Sequence, residues 1–142
     1  MKIQDGDVIC VFGAPRRISQ FEIGGGPEFL DRRVRDKIKK EFLAKAKEII
    51  GAMPDELKPK RLCIRDTRSR WGSCSGIKTI SLSWRLSFAP LEIMHYVIIH
   101  ECCHIVEMNH STKFWALVEK YFPNYKIARK WLRNNGNSLL KK

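Results

Sequence analysis

Long hydrophobic runs are missing from this sequence, and its cysteines form no framework. No stretch approaches the ~20 consecutive apolar residues of a membrane-spanning helix, so no membrane partner is expected. Asp5, Gly6 and Asp7 interrupt the region where a secretory signal would carry its apolar run. The cysteines number five (Cys10, Cys63, Cys74, Cys102, Cys103), an odd count without regular spacing. They read as free thiols of a cytoplasmic, reducing setting. Acidic residues are also scarce, 15 against 27 Lys and Arg, for a net charge of +12. Such a charge attracts nucleic acid, an anionic surface or acidic protein without choosing among them, and it also suits a soluble domain with no such partner. No repeat or low-complexity tract breaks the chain, and 142 residues make one domain with one core.

Histidine is scarce as well, with four in the chain, yet His100, His104 and His110 fall within eleven residues. Residues four apart on a helix lie ~40° apart around its axis, so His100 and His104 point the same way. Two imidazoles so placed can share one tetrahedral metal ion, for which zinc is the usual occupant. Glu101 stands beside them, positioned to polarise a water on the metal and not to bind the metal. The surrounding segment, from Pro90 to about Val106, is apolar nearly all round: Ile93, Met94, Val97, Ile98, Ile99 and Ile105 mark a central, buried helix. Polar side chains in the middle of such a helix need partners.

A third ligand has two candidates. His110 follows His104 after five residues, too far along a straight helix, so the backbone must turn first. Zinc proteases with this spacing commonly place glycine three residues after the second histidine. Here that position is Glu107, and Asn109, which tolerates left-handed geometry, is the substitute turn residue. Glu107 is also a rival ligand, since it lies roughly in line with both histidines. His110 is favoured because three neutral imidazoles suit zinc. With three protein ligands the fourth position stays open to water, and Glu101 acts as acid and base in amide hydrolysis. The alternatives are a closed structural zinc, with Cys103 or Cys74 as fourth ligand, and buried histidines satisfied by backbone carbonyls. His95 faces elsewhere on the helix, and Cys102 and Cys103 read as small core residues. Trp71, Trp84, Trp115 and Trp131 read as core anchors.

The rest of the chain supplies an α+β frame. Residues 1–26 read as short strands and turns, with Val8 to Phe12 as a strand bounded by Gly13, Ala14 and Pro15. A long helix is expected from Pro27 to Gly51, with an apolar stripe through Val34, Ile38, Phe42, Ala46 and Ile49. Its many Lys and Arg read as a solvated face, and Gly51 and Pro54 stop it. Lys60 to Asp66 suits a strand. Thr79 to Leu86 alternates most clearly, placing Ile80, Leu82, Trp84 and Leu86 inward, with Ser81, Ser83 and Arg85 outward. Ser111 caps a helix to Phe122, and another runs from Tyr125 to Asn134, ended by Gly136. Residues 27–136 form the core of the single domain, and 137–142 a frayed tail.

The stretches Arg65-Asp66-Thr67-Arg68-Ser69-Arg70-Trp71-Gly72-Ser73-Cys74-Ser75 and Ile80-Ser81-Leu82-Ser83-Trp84-Arg85-Leu86 resemble the YgjP-like family of zinc metallopeptidases. So do His100-Glu101-Cys102-Cys103-His104, Met108-Asn109-His110-Ser111 and Phe114-Trp115. The likeness spans about residues 30–133. It implies a compact zincin-like α+β domain with a small mixed or antiparallel sheet, related in form to the SprT-like and WLM proteases that act on DNA-bound proteins. It further implies one zinc ion held by His100, His104 and His110, Glu101 as catalytic acid and base, and a protein or peptide substrate. On the same likeness the Thr79–Leu86 strand borders the cleft and offers its edge to an extended peptide. The family's N-terminal β-rich part is longer than the one here. Arg68, Arg70 and Trp71 are the candidates for substrate contact, with scaffolding of the strand as the other reading. Two other functions fit the residues: a zinc hydrolase of a non-peptide substrate such as a nucleotide, and a basic nucleic-acid-associated module with structural zinc.

Overall fold

The computed structural model describes residues 8–12, 14–17, 32–67 and 69–140. The first described element is a hairpin of β1 (Val8–Val11) and β2 (Ala14–Arg17), so Ala14 and Pro15 belong to a second strand and do not bound the first. A two-stranded ribbon leaves one side of each strand unpaired, and a proline is tolerated there. Phe12, left-handed at φ 54°, turns its amide onto the Ser87 carbonyl at 2.7 Å and docks the hairpin on the domain.

α1 (Arg32–Gly51) buries Ile38, Phe42, Ala46 and Ile50, with Ile49 only half-buried, and just beyond it Met53 is buried in the same core. It stops at Gly51, before Pro54. The expected start at Pro27 lies outside the described residues. Two of its cations cover aromatic rings, Lys39 over Trp84 and Lys45 over Phe12, each at 5.1 Å.

β3 (Arg61–Arg65) and β5 (Thr79–Ser83) pair in parallel, and β4 (Gly72–Cys74) pairs antiparallel on the other side of β5. The sheet is mixed, with the order β3-β5-β4. β5 therefore has hydrogen-bonded neighbours on both sides, which overturns the expectation that this strand offers its edge to a peptide. The outer strand nearest the histidines is β4.

The expected strand also stops short of Leu86. At Ser83 the chain enters a tight turn of 3-10 helix, Trp84–Phe88, capped by the Ser83 hydroxyl, which accepts from the Arg85 amide. Both faces of this turn are inside. Arg85, expected outward, is 0% exposed, and its Nε donates to Asp66 Oδ1 at 3.0 Å. A buried guanidinium is tolerable only with such partners.

α2 (Leu91–Cys103) starts behind Pro90 and is buried over most of its length, against α1, the sheet and the two helices that follow, with Leu91, Glu92 and His95 exposed near its start. α3 (Thr112–Tyr121) is capped by Ser111, whose hydroxyl accepts from the Phe114 amide at 3.3 Å. α4 (Tyr125–Leu140) runs past Gly136 instead of ending at Asn134. One glycine costs a helix ~1 kcal/mol and ends it only where the chain turns left-handed. Among the described residues, four α-helices around a small mixed sheet make this an α+β fold. No helix among the described residues is long and apolar enough to cross a membrane.

Asp66 anchors the sheet to the buried Arg85. Asp66→Ala should lower the unfolding free energy by ~2 kcal/mol, and Asp66→Asn by less, read from denaturant midpoints. An unchanged midpoint in the alanine variant contradicts that anchor.

Candidate metal centre

The histidines meet because α2 ends where it does. The helix closes at Cys103, not at Val106, and His104 caps it in right-handed geometry at φ −65°, ψ −18°. The Ile105 and Val106 amides bond to the carbonyls of Cys102 and Cys103, three residues back, and these tightened bonds bend the chain out of the helix. Among the described residues only Phe12 and Lys78 are non-glycine with positive φ. Asn109 is therefore not left-handed, and no glycine is needed at position 107.

The bend brings His110 back over α2. The Nε2 atoms of His104 and His100 are 3.2 Å apart, those of His104 and His110 3.1 Å, and those of His110 and His100 3.4 Å. Each ring nitrogen carries either a hydrogen or a lone pair, so around a triangle at least one pair must face each other as two hydrogens or two lone pairs, and the three cannot all be hydrogen-bonded. Ligands at 2.0–2.1 Å from a tetrahedral zinc, by contrast, stand about 3.3 Å from one another. The triangle has the dimensions of a metal site.

The protons are placed to suit. His104 Nδ1 lies 3.0 Å from the Glu107 carbonyl oxygen. A carbonyl only accepts, so Nδ1 carries the hydrogen and, in the neutral ring, Nε2 is left as a lone pair facing the triangle. Burial keeps the ring neutral, pushing the His104 pKa below its usual value. His100 is held further down, to about 3, by burial and then by the charges His104 and His110 would carry. Its Nδ1 is 3.2 Å from the Tyr96 hydroxyl, one turn earlier on the same helix. Phe114 stacks on the His104 ring at 4.3 Å, and Trp115 on the His110 ring at 5.8 Å.

Glu101 lies on α2, buried, against β4. A Cβ on Gly72 would come within 3.1 Å of Glu101 Cγ and 3.2 Å of the Ser81 carbonyl oxygen, so a side chain there would have to push Glu101 or the strand aside. Burial raises the Glu101 pKa to about 7, against an opposing pull from the Arg70 guanidinium.

The other sequence candidates separate. Among the described residues His100, His104 and His110 form the group able to share an ion, and the Glu107 carboxylate and the Cys74 and Cys103 thiols are not in it. Glu107 serves through its backbone. Arg70 is exposed and acts on Glu101 by charge, while Trp71 packs on the core and its carbonyl accepts the Ser83 amide at 2.8 Å. Arg68 lies outside the described residues. His95 is exposed beside Phe122, and Cys102 and Cys103 are buried as expected. Trp115 is more than a core anchor, since it sits between His110, Tyr125 and Arg129. Tyr96 and Gly72 were also missed. Tyr96 is detectable by its spacing of four from His100, and Gly72 only by its place beside Trp71 in the motif.

An α+β domain with three histidines converging beside a buried glutamate has the make-up of a metal-dependent hydrolase. Residues 24–135 match the model of the YgjP-like, metallopeptidase domain family, and the chain belongs to that family. A solved structure, the metallopeptidase zymogen of Pyrococcus abyssi abylysin, is 28% identical over 66% of this chain and 92% of its own, with a TM-score of 0.48. No curated protein matches.

In the metal-free protein, the folded state binds a proton at Glu101 from about pH 7 downward, whereas an unperturbed carboxyl waits until 4.5. Glu101 thus stabilises the fold increasingly as pH falls between those values, and that stability is lost as pH rises through 7. Denaturation of chelator-treated wild type and Glu101→Gln protein should diverge in that sense over that range. Parallel curves contradict a buried Glu101.

Proposed function

We propose that this protein is a zinc-dependent peptidase in which His100, His104 and His110 hold one ion and Glu101 handles the proton. The triangle of Nε2 atoms carries this reading, with spacings of 3.1 to 3.4 Å. Three imidazoles with one lone pair each fit zinc, and the exposure of His110 favours an open site over a closed structural one. Bound there, zinc would lower the pKa of a water and polarise a carbonyl. The chain's own residues do the rest. Glu107 and Tyr96 orient two of the rings. Glu101, poised near neutrality, accepts a proton from water at a carboxylate oxygen and returns it to the leaving amine. The outer edge of β4, beside Glu101, is where an extended peptide would add as a further strand.

The free thiols of Cys63, Cys74, Cys102 and Cys103 support a reducing, cytoplasmic setting. The net charge of +12 supports work near anionic partners, nucleic acid among them.

Glu101→Gln should retain zinc and fold while losing hydrolysis of peptide substrates by a factor of at least ~100. In the same preparation His110→Ala should lose zinc and Glu107→Ala should keep it, since alanine preserves the backbone carbonyl. Zinc kept in the first and lost in the second overturns the ligand assignment, and hydrolysis surviving Glu101→Gln overturns the mechanism.

A further inference from the structure

One guanidinium is fixed at this site without a task in the chemistry above. Trp115, whose ring stacks on His110 and stands 5.8 Å from the His100 ring, carries Arg129 over its own ring at 4.2 Å. Tyr125, one turn earlier on α4, stacks on the same indole at 5.3 Å and 19°, so the indole has little freedom to move. The charge of Arg129 acts on both His100 and Tyr96. Arg129 is exposed, and among the described residues no carboxylate pairs with it.

An exposed arginine normally swings freely in water. Here the stacking removes part of that freedom in advance, and it leaves the fork of N–H donors unused. A preorganised, unpaired guanidinium beside a reaction centre fits a planar anion that can accept two parallel hydrogen bonds. In a peptide that anion is a carboxylate. Arg70, on the loop before β4, brings a second guanidinium to bear near Glu101, so two cations from different elements stand around the site.

We propose that Arg129, held over Trp115, is a specificity-determining residue that binds a carboxylate of the substrate close to the scissile bond. This rests on the peptidase reading and narrows its substrates to acidic peptides.

The test uses zinc-loaded protein and quenched fluorescent peptides identical except for glutamate or glutamine at each position flanking the cleaved bond. Each is made with a free or an amidated C-terminus. Binding is measured separately on Glu101→Gln protein, which needs no turnover. At one or more positions wild type should favour the glutamate peptide about tenfold in kcat/KM, and Glu101→Gln should favour it similarly in affinity. Arg129→Gln should bring the ratio near one, while Arg129→Lys keeps part of it, with zinc content unchanged in both. A preference that follows the free C-terminus and not the internal glutamate leaves the glutamate-to-glutamine ratio near one and overturns the narrowing to acidic peptides. A ratio near one in wild type, or one that survives Arg129→Gln, overturns it. Cleavage without the preference overturns the role of Arg129 alone. Preferential binding without cleavage overturns the peptidase reading alone. Neither binding nor cleavage overturns both.

Discussion

The hydrogen bond from His104 Nδ1 to the Glu107 carbonyl is the interaction on which the site depends. It makes two things true at once. It decides which nitrogen of His104 is bare, and it holds the turn that lets His110 return. Without it the ring could take either tautomer, and a hydrogen on Nε2 would point into a triangle only 3.1 to 3.4 Å on a side. The bond exists because α2 ends at Cys103 in tightened turns, leaving a backbone carbonyl three residues on within reach of the histidine that caps the helix.

The remaining structure serves to keep that end of α2 in place. The second half of α2 is packed from several sides, with Tyr96 to Ile99 and Glu101 to Cys103 buried, which holds its C-terminal end in place. Ser111 caps α3 immediately after His110, which fixes where the returning chain must restart. Phe114 and Trp115, the first aromatic residues of α3, then press against His104 and His110. From the opposite element, β4 lies on Glu101 through the missing side chain of Gly72. The same burial that makes this packing tight raises the Glu101 pKa towards neutrality, where a proton acceptor is most useful. Packing and chemistry here have one cause.

Much of this was legible in the residues. The spacing of His100, Glu101 and His104, and the apolar surroundings that make them buried, marked the centre. The helices and individual strands followed from periodicity, the Ser111 cap from its residue type ahead of an apolar helical pattern, and the small sheet from the family likeness. Three features escaped for physical reasons. Alternation continues from Thr79 to Leu86, but residues beyond Ser83 are buried on both faces, and alternation cannot tell a strand from a 3-10 turn wrapped in core. The sheet order, which makes β5 central and β4 the outer strand, is a long-range fact with no local sign. Glu107 misled because a side-chain reading treats it as a missing glycine or a rival ligand, whereas its function lies in a backbone oxygen that every residue has. Arg129 and Trp115 meet across two helices, and nothing in their spacing announces it.

The central claim is that three imidazole nitrogens, and no other protein atom, surround the metal. X-ray absorption at the zinc edge of the loaded protein measures this directly. The account predicts three imidazole nitrogens at about 2.0–2.1 Å with one further light oxygen atom from solvent. A sulfur scatterer at about 2.3 Å, which would bring Cys74 or Cys103 into the sphere, or fewer than three imidazoles, would contradict it.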